Sequence, residues 1–289
     1  MDGPGRLSVA RLQVLAAAAI FSTGGAAIKA ASVSGWQVAA LRSGIAALAL
    51  LLLLPGARRG WGWRPLLVGV AHAATMILFV LANKLTTSAN TIFLQSTAPL
   101  WVVLLSPLLL GERVRARDLG LMAVMAGGMG LFFLGVETPR ATAPDPVTGN
   151  VLAALSGVSW AFTIVGLRWM GRTESGNGSG TAAAVVFGNV FACLACLPAA
   201  LPLVSLSSRD WIILGFLGVV QIGFAYALLT FAFRHVPALE VSLLVLAEPV
   251  LNPIWSWLAH GERPGPWSLA GGAVILAATL VQALRSRRT

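Results

Sequence analysis

One stretch of this chain occurs twice. Residues 72–135 and 222–282 fall into register when one is moved along the other by 150 positions, with no gap. Lys84 then meets Arg234, Ala89 meets Leu239 and Pro99 meets Pro249, each proline about ten residues into an apolar run. Gly111-Glu112-Arg113 meets Gly261-Glu262-Arg263. A proline and a Gly-Glu-Arg tripeptide recurring at a single offset mark an internal duplication, which sets the architecture before any single residue does.

The repeated unit cannot be a soluble one. The 289-residue chain is 57% apolar and 10% charged, against roughly 25% charged for a soluble domain. Apolar runs of about 20 residues, enough to cross a hydrocarbon core of roughly 30 Å, recur from end to end. The predicted fold class is an all-α polytopic membrane protein whose main partner is the lipid bilayer. The formal charge of +10 does not point to nucleic acid, because the arginines lie in short loops, where they set orientation. Cys193 and Cys196 have the spacing of a redox or metal pair but no partner ligands, and read as small packing residues.

Punctuation divides the chain into ten spans, near 12–31, 36–54, 65–84, 88–110, 119–136, 151–170, 181–203, 211–233, 239–259 and 266–284. Residues 1–136 form a first five-helix repeat, 137–150 a polar, proline-rich linker, and 151–289 a second repeat. An odd number of spans per repeat makes the repeats inverted. With the N-terminus in the cytoplasm, fourteen Lys and Arg fall in cytoplasmic segments and four outside, while Lys29 and Arg42 lie within spans. The positive-inside rule therefore puts both termini in the cytoplasm.

Inverted repeats place a solute site near the midplane, between the halves. Pro99 removes the bond to the Gln95 carbonyl and Pro249 the bond to that of Val245. Each marks either a broken segment beside the solute path or a plain packing kink. Glu248, about nine residues into its span, is either a proton-coupling or amine-binding carboxylate or a protonated group bonded to a neighbouring helix. Its counterpart is Ala98. His72 is either a satisfied interhelical donor or a titrating group. With Met76 and Phe79 it shares one helical face, and Gln95, Trp101, Trp160, Thr163, Gln221, Tyr226 and Asn252 complete the candidate cavity lining. Gly111 and Gly261 end their helices. Glu112 and Glu262, which follow them, are either gates paired with basic residues or solvated interfacial carboxylates. Lys29 and Arg42 are read first as snorkelling, with an electropositive lining as the alternative. Trp36, Trp61, Trp63, Trp211 and Trp267 sit at span ends, as an interface belt does.

Taken together, Lys84, Pro99 and Gly111-Glu112-Arg113, then Arg234, Glu248-Pro249 and Gly261-Glu262-Arg263, resemble the drug/metabolite transporter superfamily, EamA type, over essentially the whole chain. The family pattern often has Glu before both prolines, and Ala98 departs from it. The resemblance implies a central cavity among spans 1, 3, 4, 6, 8 and 9. It also implies export of small metabolites across a bacterial inner membrane, with aromatic or neutral amino acids first and protons as a candidate coupling ion. Cationic drugs, sugar phosphates and nucleotide sugars are the alternative solutes. The chain has no Walker-type Gly-Lys-Ser/Thr sequence, and no cofactor, metal site or enzymatic centre is expected. A passive channel is the rival class, and saturable counterflow separates it from a carrier.

Overall fold

The computed structural model describes residues 4–112, 116–135, 138–172, 178–203, 206–232 and 235–285. Arg113, Arg115, Val136, Glu137, Phe233, Arg234, Arg287, Arg288 and residues 173–177 of the Gly/Ser-rich loop, all singled out in the sequence, lie outside that description, as do the side chains of Arg6, Arg117, Leu239 and Arg285.

The described residues form helical rods with all connections at two ends. The first rod is α1 (Pro4–Ser22) and α2 (Gly24–Ala30), broken at Thr23; then come α3 (Gly35–Leu53) and α4 (Trp63–Leu85). The fourth rod is split into α5 (Ser88–Gln95) and α6 (Ala98–Leu110), and α7 (Ala116–Leu134) follows. In the second half, α8 (Pro146–Gly171) and α9 (Ser179–Ala200) precede a rod made of α10 (Ser208–Gly215), a π-helical segment (Phe216–Phe224) and α11 (Ala225–Ala232). The ninth rod is again split, into α12 (Ala238–Val245) and α13 (Ala247–His260), and α14 (Pro266–Arg285) is last. Among the described residues, eight rods are long and apolar enough to cross a membrane, and Asp118–Leu134 is a shorter apolar helix.

Several boundaries differ from the sequence expectation, each for a local reason. The linker ends early: Asp145 accepts from Thr148 N–H and Pro146 occupies the first helical turn, so α8 begins inside residues 137–150. That bond holds the Asp145 carboxyl below its ordinary range. The seventh rod stops at Ala200, before Pro202, rather than running to 203. Capping boxes at Ser34 with Gln37 and at Ser207 with Asp210 fix the starts of α3 and α10.

Packing between the rods repeats when the halves are exchanged. The third rod, α4, lies on α8 and α9; the eighth lies correspondingly on α1 and on α3. The fourth rod, α5 and α6, packs on α8, as α12 and α13 of the ninth pack on α1. Pairs α3 with α9 and α7 with α14 complete the set. The breaks repeat too: the fourth rod breaks at Ser96–Thr97 and the ninth at Leu246, the same place in the 150-position register. Both following helices end identically. Gly111 (φ 66°) and Gly261 (φ 64°) are left-handed, and the N–H of Glu112 and of Glu262 reach back to the carbonyls of Ser106 and Ser256 at 3.3 and 3.4 Å. Each of these bonds spans seven residues, one more than a Schellman closure, around a left-handed position for which glycine is the unstrained choice.

A Cβ at either glycine meets nothing within 4 Å, so only backbone strain is added by Gly111→Ala or Gly261→Ala. Each substitution should cost about 1 kcal/mol in reversible unfolding in detergent. An unchanged stability in both variants would show that these turns do not hold the helix ends.

Candidate functional site

In the bundle interior four elements bring polar and aromatic side chains together. His72 on α4 is fully buried. Its ring lies 6.1 Å from that of Trp160 on α8 and 6.2 Å from that of Tyr226 on α11, and Phe21 on α1 meets Tyr226 edge-on at 5.2 Å. The close fit on α9 depends on Gly188, where a Cβ would stand 2.5 Å from the imidazole. Both His72 nitrogens lack a partner among the described residues, so the satisfied-donor reading is corrected. Met76, one turn further along α4, is 3.3 Å from Nη2 of Arg42. Glu248, at the start of α13, and Arg42 are both within electrostatic reach of Tyr226. Met76, Trp160, Tyr226 and Glu248 keep partial exposure although they face the interior.

Arg42 carries two readings in the sequence, snorkelling first and an electropositive lining second. Its snorkelling reading is corrected: α3 turns it into the bundle, where it is 2% exposed. Sequence carries little sign of this, because the lipid face and the interior face of α3 are equally apolar. Lys29 is corrected likewise; its side chain is 4% exposed and sits 3.4 Å from the Glu262 carboxylate.

Other candidates are occupied elsewhere. Gln95 donates to Ser156 Oγ at 2.8 Å, and Ser156 donates to the Thr75 carbonyl. Thr163 bonds back to the Ser159 carbonyl in its own helix. Gln221 donates to the Phe21 carbonyl at 3.2 Å and packs against Gly24. Phe79 and Trp101 belong to the main apolar core. Asn252 is the exception: it is fully buried, neither Nδ2 nor Oδ1 has a partner among the described residues, and Oδ1 lies where a Cβ on Gly25 would be 2.9 Å away.

The two ends of the bundle differ. At one end Glu262, 5% exposed, accepts the Ser88 N–H at 3.2 and 3.3 Å and pairs with Lys29. Lys29 also donates to the carbonyls of Thr86 and Thr142. Beside it Lys84 donates to the Ala31 carbonyl at 2.7 Å, and Asp210 accepts from Ser32 and Ser207. Loops from both halves are thus tied by buried polar contacts. At the other end Glu112 binds Arg168 at 2.7 Å and Arg172 at 2.5 Å, with all three side chains 30% or more exposed. Solvent-screened pairs of this kind contribute little. The Glu262 end is the sealed one.

Comparison with known proteins agrees with this architecture. The EamA-like transporter family matches residues 9–134 and again residues 147–283. An uncharacterized transporter of Archaeoglobus fulgidus is 29% identical over 236 residues, covering 80% of this chain and 81% of the relative. The pseudopaline exporter CntI of Pseudomonas aeruginosa, in strain UCBPP-PA14, is 28% identical over 271 residues, covering 90% of each chain. A solved crystal structure superposes with a TM-score of 0.62 at 24% identity, over 97% of this chain and 98% of its own, and shows the fold alone.

Burial holds Glu262 above the ordinary carboxylate range, outweighing the opposing influence of Lys29 and of the Ser88 N–H. A carboxyl raised in the folded state loses stability as pH climbs from its ordinary value through its folded one. Lys29→Met removes the largest opposing influence, so the loss deepens and extends to higher pH. At neutral pH the variant should be destabilised by about 3–5 kcal/mol, the scale of a broken buried pair. The deficit should shrink below the ordinary carboxylate range, and adding Glu262→Gln should recover most of it. Unfolding midpoints between about pH 4 and pH 8 test this; a deficit that does not vary with pH would assign Lys29 to its carbonyl contacts alone.

Proposed function

The chain belongs to the EamA-like transporter family, and from that premise we propose that it is a carrier exporting small amino-acid-type metabolites by alternating access. Small-molecule transport is the family's work, and the long apolar helices make this a multi-pass membrane protein. The finer reading rests chiefly on one observation: buried, unpartnered polar groups gather with aromatic rings in the bundle interior, around His72, Trp160 and Tyr226. A flat, amphipathic solute suits that lining, with Glu248 to meet an amino group.

Alternating access is supported by the repeated packing and the matched breaks, which fit two inverted five-helix halves, residues 1–136 and 151–289, rocking against each other. With both termini in the cytoplasm, on the positive-inside count, the sealed Glu262 end faces outward. Solute then enters from the cytoplasm of a bacterial cell once the solvent-screened pairs at Glu112 part. Glu262 with Lys29, and Glu112 with Arg168 and Arg172, both formed in this structure, act as gates at opposite faces, the buried outward one the stronger. The breaks ahead of Pro99 and Pro249 are the hinges. Protons are the proposed coupling ion, with Glu248 as their carrier.

A second substrate reading comes from the relatives: 28% identity across 90% of a pseudopaline exporter makes pseudopaline a solute to test beside the amino acids.

Proteoliposomes loaded with unlabelled phenylalanine, with labelled phenylalanine outside, should show counterflow that saturates with concentration. Glu248→Gln should lower it about tenfold or more, the scale of one lost charge-assisted contact. Non-saturating flux would favour a channel. Counterflow with pseudopaline and with no amino acid would replace the substrate class while keeping the carrier.

A further inference from the structure

Among the described residues Arg42 is a buried charge left largely unpartnered. It lies on α3, is 2% exposed, and ranks first by volume among the fully buried side chains. Its Nη2 meets only the Met76 thioether, at 3.3 Å, a weak acceptor. Its Nε and Nη1 have no partner among the described residues. A guanidinium taken out of water without an anion carries a penalty of several kcal/mol. Proteins keep such a group where an anion arrives from outside the chain.

The surroundings of Arg42 say which anion. His72 is within its electrostatic reach and has both ring nitrogens unpartnered. Tyr226 is within reach of Arg42 and of Glu248, yet the carboxylate of Glu248 makes no hydrogen bond or ion pair with the guanidinium. The guanidinium and the Glu248 carboxyl thus both act on Tyr226 without bonding to each other. Gly218 in the π-helical segment lets the eighth rod approach α3 here: a Cβ on it would lie 2.9 Å from the Arg42 carbonyl. Departures of this kind in a membrane helix concentrate at functional positions. A free guanidinium presents two parallel N–H groups, the match for a carboxylate.

We propose that Arg42 is the carboxylate-binding group of the solute site, and that the solute is a zwitterion whose ammonium group is met by Glu248. The inference rests on the carrier reading above and narrows it: the carboxylate becomes a requirement, which sets carboxylate-free cationic drugs and neutral sugars aside.

The test separates binding from transport. Quenching of intrinsic tryptophan fluorescence, with Trp160 beside His72 as reporter, is measured on the purified full-length protein. The ligands are phenylalanine, 3-phenylpropionate, which lacks the ammonium, phenethylamine, which lacks the carboxylate, and inorganic phosphate. Phenylalanine and phenylpropionate should bind. Arg42→Gln should weaken both by about tenfold or more, the loss expected for one charge-assisted interaction, and leave phenethylamine unchanged. Arg42→Lys should recover part of the loss, and Glu248→Gln should weaken phenylalanine and phenethylamine but not phenylpropionate. Equal weakening of all three organic ligands by Arg42→Gln would overturn the proposal, as would indifference to the substitution. So would tighter binding of phosphate than of either carboxylate, or failure of both carboxylates to bind the unaltered protein. Circular dichroism and elution volume identify a misfolded Arg42→Gln, in which case the Arg42→Lys ligand profile decides by the same criteria. Carboxylate binding that needs Arg42 without any counterflow would remove the carrier reading and keep the inference. Counterflow of phenylalanine indifferent to Arg42 would do the reverse.

Discussion

A helix broken inside a membrane leaves carbonyls that water cannot reach, so neighbours must cover them. This fold contains that problem twice, at matching positions, and solves it differently each time. At Ser96–Thr97 the hydroxyls fold back: Ser96 donates to the Ile92 carbonyl and Thr97 to that of Leu94, both at 2.7 Å. Gly157 lets α8 close over the turn, because a Cβ there would stand 2.9 Å from the Leu94 oxygen. Thr97 and Ala98 are buried as a result. At Leu246 the N–H turns back to the Leu243 carbonyl at 3.2 Å, and Leu246, Ala247 and Glu248 stay partly accessible. The first break is a closed joint; the second opens onto the interior cluster.

The same contrast holds between the ends. Lys29 and Glu262 are desolvated, so their attraction is strong and either partner alone is costly. Glu112 shares two arginines in partial solvent, where the pairing is weak. A bundle sealed by buried charges at one end and by screened ones at the other has a built-in bias. In the free energies of the two closures, the sealed end depends on completeness of its network: Lys29 satisfies the Thr86 and Thr142 carbonyls as well as Glu262.

Much of this was legible in the chain itself. The prolines located both breaks to within three residues, because a missing N–H must interrupt the ladder nearby. The glycines located both helix ends, because left-handed backbone favours them. The family followed from these marks as a doubled set. Individual site residues were harder to read, for a physical reason. In a soluble helix a polar residue tells which face meets water. Here lipid and interior are both apolar, so Thr163 bonded to its own helix and His72 left unpartnered look alike in sequence. Arg42 shows the limit: seven residues inside α3, it is close enough to the helix end to read as snorkelling, and only packing reveals which way it turns.

Symmetry supplies the place of the site but not its polarity. In the 150-position register Tyr226 corresponds to Met76, and the two flank Arg42 with a phenol and a thioether. Glu248 corresponds to Ala98, a buried methyl in a closed joint. His72 corresponds to Ile222 within the π-helical segment. A scaffold of two like halves, left chemically even, would hold a solute equally well in two opposite orientations. Replacing one carboxylate by alanine, one aromatic by methionine and one imidazole by isoleucine removes that degeneracy. The acidic group lies on the side of the open break and the basic group on α3. On the proposal above, a zwitterion held between them would have a single favoured direction, with Glu248 beside the break that stays partly accessible.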